Sequence, residues 1–112
     1  TQKKSYLYVQ DCIEAMLTVR GLRGGSGFSV FNLGADEYST VLDSIGWISE
    51  VMNVNPKLEF TGGERGWVGD NPFIYLDTKK VRALGWNNSL SIREAVERTA
   101  KWLLQNPHIL GL

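Results

Sequence analysis

Apolar and polar positions along the 112 residues fall into short periodic blocks separated by glycine and proline. "SYLYV" at 5–9 is aromatic and β-branched and predicts a short strand leading into a helix. In "DCIEAMLTVR", Ile13, Met16, Leu17 and Arg20 recur at helical spacing, and Asp11 stands where an N-cap would. "FSVFNL" at 28–33 predicts a second strand ending at Gly34. After the loop "ADEYST", Thr40 and Asp43 form a helix start for a stripe of Val41, Leu42, Ile45, Ile48 and Met52, which ends near "NVNP" because Pro56 cannot continue it. "KLEF" at 57–60 predicts a brief third strand.

The glycine-rich loop "TGGERGWVGDNP" is the most irregular stretch, and "NPFIYL" reads extended after it. Asp77 or Thr78 caps a short helix carrying Val81 and Leu84, closed by "LGW" with glycine past its end and Trp86 as the hydrophobic contact. In the last helix, Ser91 and Glu94 form a capping box. Ile92, Ala95, Val96, Thr99, Trp102 and Leu103 share one face before Pro107 stops it. The pattern predicts an α/β chain of short strands with a helical C-terminal half, organised as a single domain over 1–112 with no internal repeat.

Composition narrows the function classes. Twelve basic and twelve acidic residues give a formal net charge of +0, which argues against a broad nucleic-acid face. The apolar runs are too short to span a bilayer and the N-terminus lacks a signal-peptide pattern, so a cytoplasmic protein that binds no membrane is expected. Starting on a strand-like segment without methionine, the chain reads as a piece of something longer. The single Cys12 has no disulfide partner and reads as a buried reduced thiol; one His and one Cys make no zinc set.

Two stretches imitate dinucleotide-enzyme fingerprints. Gly21, Gly24 and Gly27 have the G-x-x-G-x-x-G spacing of a pyrophosphate cradle, which must leave a strand and open a helix. Here the glycines follow a helix and precede a strand. Gly21 is expected to close that helix with positive φ, and the others to form a flexible connection. Tyr75 and Lys79 match a Tyr-x-x-x-Lys acid/base pair, which needs both residues on one helical face. The helix begins only near Asp77, so the pair reads as an extended tyrosine and a first-turn surface lysine.

The "GGERGWVGD" loop offers Arg65 as a planar fork for a phosphate and Trp67 as a stacking surface. Equally, Trp67 packs on the C-terminal helices and Arg65 pairs with Glu64 or Asp70. Lys3 and Lys4 either join a phosphate site or are solvated at a frayed end. Asn32, before Gly34 at the strand end, is expected to satisfy turn backbone groups. Of Tyr6 and Tyr8, one is expected to face the core and the other to be available.

Taken in order, "KSYLYVQDCIEAM", "FSVFNLGADEYSTVLDSI", "GGERGWVGDNPFIYLDTKKVRALGW" and "SLSIREAVERTAKWL" resemble the C-terminal part of the NAD-dependent epimerase/dehydratase family, extended short-chain dehydrogenases of the UDP-glucose 4-epimerase kind. The resemblance implies the substrate-binding part of a nucleotide-sugar enzyme that works through a keto intermediate. It implies that Lys4 stands where an arginine usually meets the nucleotide diphosphate, keeping the charge without the fork, and that Ser5 replaces an aspartate. Tyr8 matches a His/Tyr position, and Gly69 and Asp70 match a Gly-Asp loop pair. Arg65 is the counterpart of the diphosphate arginine, although further upstream of Gly69 than in the commoner form. The nucleotide fold and the family's catalytic residues would lie upstream. The chain alone is then expected to be catalytically inert and to bind no cofactor, NAD belonging to the complete enzyme. Its partners would be a nucleotide-diphosphate sugar and either the missing nucleotide-binding part or a second copy. A stand-alone binding or self-associating module is the alternative.

Overall fold

The computed structural model of the chain describes residues 2–21, 27–60, 62, 69, 71 and 73–111. Strand β1 (Lys3–Lys4) leads through an extended segment into helix α1 (Val9–Arg20). Strand β2 (Ser39–Thr40) runs directly into α2 (Val41–Met52), and α3 (Lys79–Arg82), α4 (Ile92–Gln105) and a 3-10 turn (Pro107–Leu110) complete the order. β1 and β2 pair antiparallel with Lys3 opposite Thr40 and Lys4 opposite Ser39. The chain is α/β with a helical C-terminal half, as its pattern predicts.

Local chemistry accounts for the helices that form where expected. Thr40 Oγ1 accepts from the Asp43 amide at 3.1 Å while Asp43 accepts from the Thr40 amide at 2.8 Å, and Ser91 and Glu94 repeat the arrangement on α4. Each box satisfies two amides that a helix start leaves without partners. Gly85 ends the α3 turn at φ 88°, a conformation costly for other residues, and hands the chain to Trp86.

Other expectations need correcting. Residues 5–8, 28–33 and 57–60 are not strands: a strand needs a neighbour for its amides and carbonyls, and none pairs with them among the described residues. α1 starts at Val9 rather than after Asp11, with Tyr8 as a cap that offers no side-chain bond. Gly21 is right-handed at φ −69°, its amide shared between the carbonyls of Leu17 and Thr18, so its freedom is not used. α2 forms over the stripe as its pattern predicts. Leu42, Ile48 and Met52 remain exposed, and the buried residue of that helix is Ser44.

Ala15, Val81 and Trp86 form the central core, flanked by half-buried Leu7, Val19, Phe31 and Leu33. α2 packs on α4, which buries Ile92 and Ala95. Much apolar surface stays uncovered: α1 exposes Val9, Ile13, Met16 and Leu17 on the side away from Ala15, and Phe28 is 91% exposed. The radius of gyration of 17.1 Å exceeds the ~13 Å of a compact domain of roughly 100 residues. No helix among the described residues is long and apolar enough to cross a membrane.

Candidate functional site

Two cavities lie along the extended segment between β1 and α1. The first, about 220 Å³, is walled by Leu7, Leu33, Ile74 and Leu76 and carries Lys4, Ser5 and Asn71 on its polar side. The second, about 400 Å³, lies between residues 6–9, α2 and α4, and Tyr6, Tyr8, Ile48, Val96 and Thr99 contribute to its lining. Tyr6 and Leu7 border both.

Lys4 reaches the first cavity because β1 is held against β2, and its Nζ donates to the Asn71 carbonyl at 2.9 Å. That bond spans 67 residues of sequence and ties the N-terminal strand to the end of the glycine-rich loop. A frayed, solvated lysine is therefore not what the structure holds. Lys3 points elsewhere, its Nζ 4.6 Å from the Tyr38 ring centroid, a cation–π distance. Ile74 and Leu76 face the cavity while Phe73 and Tyr75 stack on one another and Phe73 meets Tyr38, the alternation of an extended chain.

Tyr8 lines the second cavity and lies under the Arg98 guanidinium, 5.6 Å away. Neither Tyr6 nor Tyr8 is in the core. Residues two apart on an extended chain share a face, so the expectation that one would be inward and one outward fails. Arg65 and Asp70, together with Glu64 and Trp67, lie outside the described residues. Asn32 donates to the Asp77 carbonyl at 3.3 Å, so it serves backbone as expected but that of a distant segment.

Sequence reasoning missed Arg82. Its guanidinium donates to Thr78 Oγ1 (2.9 Å), Asn87 Oδ1 (2.7 Å), Asn88 Oδ1 (3.0 Å) and the Gly34 carbonyl (3.3 Å), and pairs with Asp36 at 3.1 Å. This network fixes the 34–36 turn, one wall of the first cavity, to the α3 region. Nothing short of the tertiary fold signals it. Asn71 was likewise missed, because a carbonyl used as an acceptor leaves no mark on residue type.

The described glycines do not fit a dinucleotide. Gly21 terminates α1, no helix opens after Gly27 until α2, and Tyr75 is extended while Lys79 begins α3. A pyrophosphate cradle needs a helix N-terminus at its glycines.

Comparison with known proteins fits this arrangement. The chain is 30% identical to an Arabidopsis thaliana trifunctional UDP-glucose 4,6-dehydratase/UDP-4-keto-6-deoxy-D-glucose 3,5-epimerase/UDP-4-keto-L-rhamnose-reductase, with 96% of this chain and 16% of that protein aligned. It is 29% identical to a Mus musculus dTDP-D-glucose 4,6-dehydratase over 96% of this chain and 31% of the other. Among solved structures, a UDP-galactose 4-epimerase superposes with a TM-score of 0.82 at 31% identity, covering 94% of this chain and 34% of the epimerase. Over 94–96% of its length the chain is similar to nucleotide-sugar epimerases and dehydratases, which supports its resemblance to the C-terminal part of the NAD-dependent epimerase/dehydratase family. It spans 16–34% of the length of these relatives. A Bacillus cereus UDP-glucuronic acid 4-epimerase in complex with NAD shares the fold with a TM-score of 0.74 at 19% identity. No family profile matches the chain.

Proposed function

We propose that this chain is the C-terminal, substrate-binding part of a nucleotide-sugar epimerase/dehydratase of the UDP-glucose 4-epimerase kind. The observation that carries the reading is the Lys4 ammonium at the rim of an apolar-walled cavity, 2.9 Å from the carbonyl of the residue after Asp70. A fixed positive charge beside low-dielectric walls suits a diphosphate, because screening by water is reduced there. In this reading Arg65 joins Lys4 on the diphosphate, and Asp70 and Tyr8 are supporting members of the site. Lys4 exchanges a carbonyl acceptor for a phosphate oxygen when the nucleotide arrives.

In the complete enzyme NAD supplies the hydride chemistry. The part this reading gives the chain is to bind and orient the substrate. The bare apolar surface of α1, with Phe28 and Val30, supports a docking face for the nucleotide-binding part. The same surface supports a second reading, a non-enzymatic module that self-associates through this face.

Calorimetric titration of the 112-residue chain with UDP-glucose, UDP and NAD, with Arg65→Ala as control, separates the readings. UDP-type binding lost in the variant, without NAD binding, is expected. Absence of any nucleotide binding together with a stable dimer would favour the self-associating module.

A further inference from the structure

We infer that Ser5 is the positioning residue that decides which of two adjacent lysines faces the cavity; the inference rests on the diphosphate reading of Lys4 for its functional meaning. The β1–β2 ladder is two residues long, Lys3 opposite Thr40 and Lys4 opposite Ser39. So short a ladder is marginal in water by itself. A slip of one residue would exchange the faces of the two lysines, sending Lys3 to the cavity and Lys4 to Tyr38. Because both residues are lysine, neither charge nor side-chain length opposes the slip. The register must be set by what flanks the pair.

On one side the Val41 amide donates to the Gln2 carbonyl at 3.0 Å, a backbone bond that another residue's carbonyl could replace. On the other side Ser5 Oγ donates to the Glu37 carbonyl at 2.9 Å, with the Ala35 carbonyl at 3.4 Å as a longer alternative. This bond depends on side-chain identity, and after a slip the hydroxyl would be one residue out of place. Its acceptor is itself anchored, since the Glu37 carboxylate accepts from the Ile92 amide at the start of α4 and Ala35 is buried. A line of contacts thus runs from the longest helix through the 35–37 turn to Ser5, and from Ser5 to the neighbouring Lys4.

The test reads register directly and ligand binding separately. In the isotopically labelled chain, cross-strand NMR contacts between Lys4 and Ser39 and between Lys3 and Thr40 should be single in the natural protein. They should split or shift in Ser5→Ala and Ser5→Cys, and be restored in Ser5→Thr. UDP affinity should fall about tenfold in Ser5→Ala. Lys3→Ala should be silent in the natural protein yet weaken UDP binding once Ser5 is Ala, an effect that a merely structural serine would not produce. Unchanged cross-strand contacts in both hydroxyl-deleted variants would overturn the inference, as would loss of the α2 and α4 signals in both, since a register device leaves those helices standing. Lys4→Ala that leaves UDP binding unchanged would overturn the diphosphate reading and leave the register result intact.

Discussion

The indole Nε1 of Trp86 donates to the main-chain carbonyl of Asp11 at 3.0 Å, a buried bond across 75 residues of sequence. The same aspartate's Oδ1 accepts from the Ser89 amide at 2.9 Å and from Ser89 Oγ at 2.6 Å. A residue in the first turn of α1 thereby holds both ends of the 86–89 segment, between α3 and α4. Trp86→Phe keeps most of the apolar volume and removes only this bond, since the Asp11 carbonyl still accepts within α1, so unfolding in urea should show a loss of about 0.5–1.5 kcal/mol. Trp86→Ala adds a cavity beside Val81 and Ala15 and should cost about 3–5 kcal/mol. Equal losses in the two variants would mean that packing does not contribute.

Acid should weaken the two capped helices. The Thr40 hydroxyl, and then its amide, hold the Asp43 carboxyl below its ordinary value; the Ser91 hydroxyl and amide do the same for Glu94. A carboxylate depressed in the folded state binds fewer protons than in the unfolded state. Its contribution is therefore present above the unfolded pKa and is lost as pH falls through the folded one. Thermal melts should show this loss beginning at the ordinary carboxylate range of about 4 and continuing below it. Glu94→Gln should flatten that part of the profile; an unchanged slope would exclude the caps as its source.

These caps were legible in the sequence because their chemistry is local: Thr40 with Asp43 and Ser91 with Glu94 lie one helical turn apart and need no tertiary information. The Gly85–Trp86 helix end was legible for the same reason. "FSVFNL" failed because its apolar alternation describes a surface and not a partner, and no neighbouring strand lies among the described residues. Asp11 failed differently. Its type suits an N-cap, but its carboxylate is taken by Ser89, and that partner is invisible in the local pattern. At the site, Lys4 was singled out through its place in a family-like segment, whereas its acceptor is a carbonyl of Asn71, a group every residue carries. Ile74 and Leu76 could have been read as a cavity wall from the alternation in "NPFIYL".

Arg82 should tolerate no replacement by lysine. The planar fork serves Thr78, Asn87, Asn88, Asp36 and the Gly34 carbonyl at once, and an ammonium on a flexible stem cannot meet acceptors in those directions. Arg82→Lys should cost on the order of 2 kcal/mol in chemical denaturation, since hydrogen bonds to charged groups contribute more than neutral ones. Hydrogen exchange should quicken around 34–36 and 86–88. Exchange unchanged in both segments would show that the turn holds without the guanidinium.

Replacing the exposed apolar residues of α1 should alter association without altering the fold. Met16 and Leu17 are 60% and 58% exposed on a helix whose opposite face carries buried Ala15, so a charge at 16 or 17 meets solvent and not the core. An uncovered apolar face of this kind drives association when nothing else covers it. Sedimentation velocity of the isolated chain should show concentration-dependent self-association, reduced in Leu17→Glu and in Met16→Glu while circular dichroism keeps its helical signal. A chain that stays monomeric at all concentrations would remove the self-associating module as a reading of this surface.

The substrate-side reading places its sharpest demand on Lys4. A charge-assisted contact to a phosphate contributes about 1.5–3 kcal/mol, so Lys4→Ala should weaken UDP binding roughly ten- to a hundredfold in calorimetry. Lys4→Arg preserves the charge and adds the two-pronged geometry that carboxylates and phosphates match, and should bind UDP at least as tightly as the natural chain. The order Arg at or above Lys, with Ala far below, is what a diphosphate contact produces. If Lys4 serves only to tie β1 to the Asn71 carbonyl, both variants should lower the melting temperature, and the affinity of the folded fraction for UDP should not change.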